Sequence, residues 1–165
     1  MMKRLKIDPA FTPCPVKDGD ELFPNGIFEF NITALLAHLE SHPEGVTVVD
    51  IAVSDLDHSF TSFDESYVES ADITRPVVLA EISPGRFNLI DGHHRVEKAL
   101  RHDIATLRAN KLTVLQHIAF LTSNRAYLSY VEYWNGKIAQ CGEMKRAEQR
   151  RPRFGRQKDA PFVMT

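Results

Sequence analysis

The sequence predicts a mixed α+β fold, and three observations carry this prediction. Short segments rich in β-branched residues indicate strands, segments with apolar residues every three to four positions indicate helices, and Gly- or Pro-containing turns separate them. Over residues 75–112 the order is strand, strand, helix, strand. This order predicts a small mixed sheet with flanking helices, followed by a helical C-terminal extension.

The chain is expected to form one domain with appendages. Its length of 165 residues and its 43% hydrophobic content suit a single ordinary core. The predicted segments are an extended N-terminal strap (1–30), the main domain (31–112), C-terminal helices of the same domain (113–140) and a basic, partly disordered tail (141–165).

Charge and apolar patterning exclude several classes of protein. The 20 basic and 22 acidic residues nearly balance, so the chain as a whole is not an electrostatic binder of nucleic acid. No apolar run approaches the length needed to cross a bilayer, so we expect a cytoplasmic protein without a membrane partner. Cys14 and Cys141 lie far apart in the sequence, which supports neither a disulfide framework nor a zinc site.

The first elements follow from turn residues and helix caps. The prolines and glycines of residues 1–26 forbid a long helix and predict an extended strap. Asn31 or Thr33 is placed to cap a helix through residues 34–40. The β-branched run 46–53 predicts a buried strand.

A hairpin and a helix follow. Residues 63–71 predict a short helix, after which Pro76 begins a strand that reaches residue 82. The turn at residues 83–86 returns the chain into a second strand, 87–90, and so predicts a β-hairpin. The next helix carries Val96, Ala99 and Leu100 on one face and is expected to end near His102–Asp103.

A further strand and two helices complete the predicted elements. Residues 105–112 predict the strand, so strand 87–90, helix and strand 105–112 make a crossover unit and part of the sheet should be parallel. Residues 113–122 and 124–138 predict two helices. In the second helix, Tyr127, Val131 and Trp134 form a stripe that is expected to pack in the core.

The segment from Asp91 to Arg95 is the candidate site, because it turns directly from a strand into a helix. The first amide N–H groups of a helix have no intrahelical partner, and the helix dipole favours an anion beside them. Imidazole and guanidinium groups at the same place donate hydrogen bonds to phosphoryl oxygens. We therefore expect Gly92, His93, His94 and Arg95 to bind the phosphates of a nucleotide.

Asp91 has two opposed interpretations. As the N-cap it would accept the helix amides and occupy the anion site itself, and spacing alone favours this interpretation. Beside a bound phosphate, the same carboxylate would instead be a magnesium ligand or a catalytic base. His93 and His94 diverge by about 100° around the helix, which predicts different roles for them, and His93 is the second candidate catalytic residue. A metal site made from these three residues alone is not favoured, because adjacent helical residues diverge.

Three segments carry a resemblance to a known family. The run Arg75–Val78, the run Phe87–Ala99 and the strand Thr106–Leu112 resemble the nucleotide-binding domain shared by ParB partition proteins, sulfiredoxins and ParB-like free serine kinases. The resemblance covers roughly residues 46–112. It implies a ParB/sulfiredoxin-like fold in which the turn at residues 92–95 binds nucleotide phosphates.

The motif differs among the members of this superfamily. Sulfiredoxins have a Gly-Cys-His-Arg type of motif, and His93 stands here in place of their nucleophilic cysteine. Partition proteins carry a Gly-Glu-Arg-Arg type of motif and a further DNA-binding domain, for which too few residues follow the resemblance here. The Asp-Gly-His-x-Arg pattern of the kinases matches Asp91, Gly92, His93 and Arg95 best. Candidate counterparts of the separate catalytic glutamate of those kinases are Asp55, Asp57 and Glu69.

Three functional hypotheses follow. In the first, the protein is an enzyme that binds ATP or a related nucleotide with magnesium and transfers the terminal phosphoryl group to a small-molecule acceptor or to water. In the second, it is a nucleic-acid-binding or nuclease-like module. In the third, it is a nucleotide sensor without turnover. The second hypothesis uses the basic residues of the tail, which are Lys145, Arg146, Arg150, Arg151, Arg153, Arg156 and Lys158.

Overall fold

A computed structural model describes residues 3–25, 28–56 and 64–150 of the chain. Within these ranges the strands are β1 (Leu22–Asn25), β2 (Phe28–Asn31), β3 (Thr47–Ala52), β4 (Val77–Ser83), β5 (Arg86–Asp91) and β6 (Thr106–Leu112). The helices are α1 (Ile32–Ser41), α2 (Glu65–Ser70), α3 (His93–Arg101), α4 (Val114–His117) and α5 (Asn124–Arg150), with 3-10 turns at Pro43–Gly45, Val53–Asp55 and Ile118–Phe120. The predicted α+β class is confirmed.

The main sheet has the strand order β3-β6-β4-β5. Strands β4 and β5 form the predicted hairpin and are antiparallel, whereas β4 and β6 are parallel. The prediction of a partly parallel sheet is therefore confirmed, but the parallel crossover runs from β4 through β5 and α3 to β6, not from β5 to β6. The tight turn after β4 forces β5 to run in the opposite direction, so α3 returns the chain to the far side of β4.

Strand β3 lies at the edge of this sheet. The prediction of a strand within residues 46–53 is confirmed, but the prediction that this strand is buried is wrong. Its only partner in the described sheet is β6, with which it pairs antiparallel. The side chains of Thr47 and Val48 are exposed. Composition alone does not distinguish an edge strand from a central one, because both are rich in β-branched residues.

Two apolar clusters lie on the two faces of the sheet, and β4 contributes to both. Val78, Ala80 and Ile82 face the cluster that contains α1, β2 and α5, and Val77 and Leu79 face the cluster that contains α3. The predicted stripe of Tyr127, Val131 and Trp134 is buried in the first cluster. Helix α3 packs through Val96 and Ala99, whereas Leu100, which was expected on the same face, is 43% exposed.

The N-terminal residues run along α5 and are tied to it by hydrogen bonds. The Asn135 side chain accepts from the Leu5 N–H at 2.8 Å and donates to the Leu5 carbonyl at 3.0 Å. Trp134 Nε1 donates to the Lys3 carbonyl, and the Phe11 ring stacks on Tyr127 with centroids 3.9 Å apart. The hairpin of β1 and β2, which follows this segment, was not predicted from the sequence.

The C-terminal region differs from the prediction in two ways. Residues 113–122 do not form one helix, because Thr113 and Gln116 cap the short helix α4 and a 3-10 turn follows it. Helix α5 continues to Arg150, beyond the predicted end at Ile138, so residues 141–150 are helical rather than disordered. Ala, Glu, Gln, Lys and Arg, which favour helices, dominate this extension. Residues 151–165 lie outside the described part of the chain.

None of the described helices is both long and apolar enough to span a membrane.

The buried side chains of Tyr130 and His117 hydrogen-bond to β4 at the point where its pairing with β5 is irregular. The register with β5 shifts between Glu81 and Ser83, and the Tyr130 hydroxyl donates to the carbonyl oxygens there, at 2.6 Å from Glu81 and 2.9 Å from Ile82. His117 Nε2 donates to the Glu81 carbonyl at 2.7 Å. Its Nδ1 atom is buried and has no hydrogen-bond partner in the described part of the chain.

The stability of the protein is expected to fall in mild acid because of His117. Burial lowers the pKa of this imidazole from its ordinary value of 6.5 to about 4. Between pH 6.5 and pH 4 the unfolded chain therefore binds a proton that the folded protein does not bind, so the free energy of unfolding decreases as the pH falls. This group alone is expected to contribute a decrease of up to about 3 kcal/mol.

Denaturant unfolding at a series of pH values measures this effect. His117→Gln, which keeps a donor and removes the titrating group, is expected to flatten the dependence in that pH window. His42→Gln is the matched control, because His42 is exposed. Equal pH dependence in the wild type and in His117→Gln would show that His117 is not the group responsible.

Candidate functional site

The predicted site residues lie along a single cleft with a volume of about 750 Å³. The first turn of α3 and the end of β5 form its floor, and β1, α2 and the loop before β4 contribute its walls. Asp91, Gly92, His93, His94 and Arg95 all line this cleft. A volume of several hundred Å³ is typical of a small-molecule or cofactor site.

Gly92 is the N-cap of α3 and has a left-handed backbone with φ +105°. A Cβ atom at this position would lie 2.6 Å from Cγ1 of Val77 and 3.2 Å from its Cα. Only glycine tolerates both the dihedral angle and this close approach to β4. Gly92 has no side chain to accept from the helix amides, so the first turn of α3 borders the cleft directly.

Asp91 is paired with Arg95, and the prediction that it caps α3 is wrong. One carboxylate oxygen of Asp91 accepts from Nη2 of Arg95 at 2.8 Å. The two side chains are only 12% and 15% exposed, respectively. Asp91 is the last residue of β5. Its carboxylate points to Arg95, in the first turn of α3, instead of to the amide groups that begin this helix.

The Arg95 guanidinium has further partners in the loop before β4. Nη1 donates to the carbonyl of Pro76 and, at 3.2 Å, to the carbonyl of Arg75. Arg95 thus connects the start of α3 to the entrance of β4. It lines the cleft as predicted, but these contacts give it a role in holding the site together besides any contact with phosphate.

His93 and His94 have different surroundings, and the prediction that they have different roles stays a prediction. The Phe23 ring of β1 stacks on His93, with centroids 5.3 Å apart and an angle of 23° between the planes. The Tyr67 ring of α2 meets His94 edge to face, with centroids 6.0 Å apart. Each imidazole therefore lies beside an aromatic ring from a different wall of the cleft.

Several further residues of the cleft were not identified from the sequence as site residues, among them Glu21, Phe23, Tyr67 and Arg75. Arg75 is exposed, and its guanidinium has no hydrogen-bond partner within residues 3–25, 28–56 and 64–150. Arg75 lies one residue before Pro76, in the run Arg75–Val78 that carries part of the family resemblance. This position was a signal from which Arg75 could have been identified as a site residue. Nothing local in the sequence marks the other three residues.

Helix α2 is attached to α3 by charged side chains. Arg101 makes a two-oxygen pair with Glu65, at 2.6 and 3.0 Å. Lys98 Nζ donates to the carbonyls of Glu69 and Ala71, which satisfies the C-terminal end of α2. These contacts hold the wall of the cleft that carries Tyr67.

Two of the three candidate second carboxylates, Asp55 and Glu69, do not line the cleft. Glu69 is paired with His102 at 3.1 Å, and neither Glu69 nor Asp55 is among the described residues that line the cleft. Asp57 lies outside the described residues. A catalytic role for any of the three stays a prediction.

The described residues do not bring together three or more His, Cys, Asp or Glu side chains that could hold a metal ion. Asp91, the predicted magnesium ligand, faces the guanidinium of Arg95. Protein-bound magnesium commonly uses one or two carboxylates together with substrate phosphates and water. The assignment of Asp91 to magnesium stays a prediction, and any such site would depend on the phosphates of a bound nucleotide.

Comparisons of the chain with protein-family models, with curated proteins and with solved structures found no match.

Proposed function

We propose that this protein binds ATP or a related nucleotide in the cleft at the start of α3. The observation that carries the proposal is the opening of α3 into this cleft at a glycine N-cap, with Arg75 beside it. The dipole of α3 and its first-turn amides favour an anion there. Because Asp91 is neutralised by Arg95, its carboxylate does not repel a phosphate as an unpaired one would.

The side chains around the helix start suit a polyphosphate. Arg75 supplies a guanidinium that can contact two oxygens at once, and His93 and His94 each carry ring nitrogens that can donate hydrogen bonds. The exposed Tyr67 ring, at the rim, offers a flat apolar surface for a nucleobase. These features are consistent with the resemblance to ParB/sulfiredoxin-like domains, and we propose membership of that superfamily as part of the same hypothesis.

We further propose that the bound nucleotide undergoes phosphoryl transfer or hydrolysis, with Asp91 and His93 as the candidate catalytic residues. Magnesium bound with the nucleotide would neutralise charge on the phosphates. A smaller cavity, of about 240 Å³, shares Arg75, Asp91 and Arg95 with the cleft and is a suitable place for a small phosphoryl acceptor. A sensor without turnover would show binding but release no product.

Replacing Arg75 by alanine is expected to weaken nucleotide binding by about 10- to 100-fold. The guanidinium is exposed, so its removal is not expected to unfold the protein, and a charge-assisted hydrogen bond to phosphate contributes about 1.5–3 kcal/mol. Isothermal titration calorimetry with ATP and magnesium measures the change.

The matched control is Arg86→Ala. Arg86 is also exposed, but it begins β5 at the end of the strand remote from Asp91, so the control removes the same charge away from the cleft. Equal affinities for the two variants would count against a phosphate site beside Arg75. Failure of the wild type to bind any nucleoside triphosphate would refute the proposal as a whole.

A further inference from the structure

We infer that Glu21 binds the ribose hydroxyls of the nucleotide and makes the cleft selective for ribonucleotides over 2′-deoxyribonucleotides. This inference rests on the proposed function, which it extends from the phosphates to the sugar. It assigns a specificity-determining role to a residue of the N-terminal segment, which lies outside the resemblance at residues 46–112.

The backbone places Glu21 on the side of the N-terminal segment that faces the cleft. Glu21 immediately precedes β1 and is two positions from Phe23, so the two side chains point to the same side of the extended chain, with Cα atoms about 7 Å apart. Because the Phe23 ring stacks on His93, this side of β1 faces the start of α3. Both residues line the cleft.

The charges of the cleft determine which part of a ligand can face Glu21. Three carboxylate residues line the cleft. Asp91 is paired with Arg95, and Asp72 accepts from the hydroxyl and the N–H of Thr74 at 2.6 and 3.0 Å. Within the described ranges, the Glu21 carboxylate has neither an ion-pair partner nor a hydrogen-bond donor.

An unpaired carboxylate repels phosphate and attracts hydroxyl donors. A polyphosphate at the start of α3 would therefore place the neutral sugar, rather than a phosphate, near Glu21. The two adjacent hydroxyls of ribose match the two oxygens of one carboxylate. Acidic side chains recognise ribose hydroxyls in the same way in dinucleotide-binding folds.

The position of Glu21 is held by its backbone while its side chain remains accessible. Its N–H donates to Oγ1 of Thr33 at 2.8 Å, and its carbonyl accepts from the Ile32 N–H at 2.9 Å. The neighbouring Asp20 side chain accepts from the buried Asn31 amide at 2.8 Å. The carboxylate is thus presented on a fixed backbone, as a selectivity residue requires.

The test compares the binding of the four ribonucleoside triphosphates, their 2′-deoxy counterparts and inorganic tripolyphosphate, each with magnesium. We expect the wild type to prefer the tightest-binding ribonucleotide over its deoxy form by about tenfold, the effect of one charge-assisted hydrogen bond. In Glu21→Ala this preference should fall to nearly one. The affinity for tripolyphosphate should stay equal or rise, because a negative charge has been removed.

Glu44→Gln is the control, since Glu44 is exposed on the 3-10 turn at residues 43–45. It is expected to leave the preference unchanged. If the wild type binds nucleotides but does not distinguish the deoxy forms, or if Glu21→Ala keeps the preference, the inference about Glu21 is wrong while the proposed function stands. If neither nucleotides nor tripolyphosphate bind, both are wrong.

Discussion

Replacing Arg95 by alanine is expected to lower the free energy of unfolding by about 3–5 kcal/mol, because it leaves a largely buried carboxylate without its cation. Asp91, its partner, is only 12% exposed. The same substitution removes the donor that serves the carbonyls of Arg75 and Pro76. Chemical denaturation monitored by circular dichroism measures the loss.

Three further variants separate the possible causes. Arg95→Lys keeps the charge but loses the planar group that reaches a carboxylate and two carbonyls together, so it should recover only part of the stability. The double variant Asp91→Ala/Arg95→Ala should be less destabilised than the sum of its single variants. Arg101→Ala is the control, because the Arg101 pairs with Glu65 and Glu97 lie closer to solvent and contribute less. A loss in Arg95→Ala no larger than in this control would show that the Asp91–Arg95 pair does not hold the site.

Nucleotide binding should respond to Arg95 and Arg75 in different ways. Loss of Arg95 releases the loop before β4 from the start of α3, so affinity should fall together with stability. Loss of Arg75 should lower affinity and leave stability nearly unchanged, because its guanidinium is exposed. Measuring both properties for both variants therefore distinguishes a residue that assembles the cleft from one that contacts the phosphate.

Replacing Gly92 by alanine is expected to destabilise the protein by about 2–5 kcal/mol, because two unfavourable effects combine. The first is the left-handed backbone, with φ +105°. The second is the overlap of the new Cβ with Val77, whose Cγ1 atom would be only 2.6 Å away. Val77 is fully buried in β4 and cannot move without disturbing the sheet.

Two other glycines serve as graded controls for this substitution. Gly85 also has a positive φ, +75°, but a Cβ atom added there would meet no atom within 4 Å outside Gly85 and its two chain neighbours, so Gly85→Ala carries the backbone cost alone. Gly45 has neither a positive φ nor a close neighbour, so Gly45→Ala should change stability little. If Gly92→Ala is no more destabilising than Gly85→Ala, the close approach of α3 to β4 is not a constraint.

Several local features of the fold were predictable from the sequence. A helix cap at Asn31 or Thr33 was predicted because polar side chains there can accept from the first N–H groups of the helix, and Asn31 is the cap, since its Oδ1 accepts from the Ala34 N–H at 3.0 Å. The hairpin of β4 and β5 was predicted because its turn residues lie between two apolar runs. The turn at Gly92 was predicted for a different reason, because the strand before it and the helix after it have different hydrophobic periodicities.

The pairing of Asp91 with Arg95 could not be predicted from the spacing of residues along the sequence. Spacing favoured a cap because Asp91 precedes a helix, but the side chain of a residue that ends a strand takes its direction from the pleat of the sheet. The carboxylate therefore points to Arg95 instead of the helix amides. The burial of β3 was misjudged for a related reason, because the place of a strand within a sheet depends on its partners.

The sequence by itself determined the class of fold, the succession of strands and helices around residues 75–112, and the turn at which α3 begins. Each of these depends on residues within a few positions of one another. Only the tertiary structure decided that Glu21, Phe23 and Tyr67 share a cleft with His93 and His94. Their meeting depends on how β1, α2 and α3 pack, and packing between elements distant in the chain is set by many weak contacts that no short stretch of sequence contains.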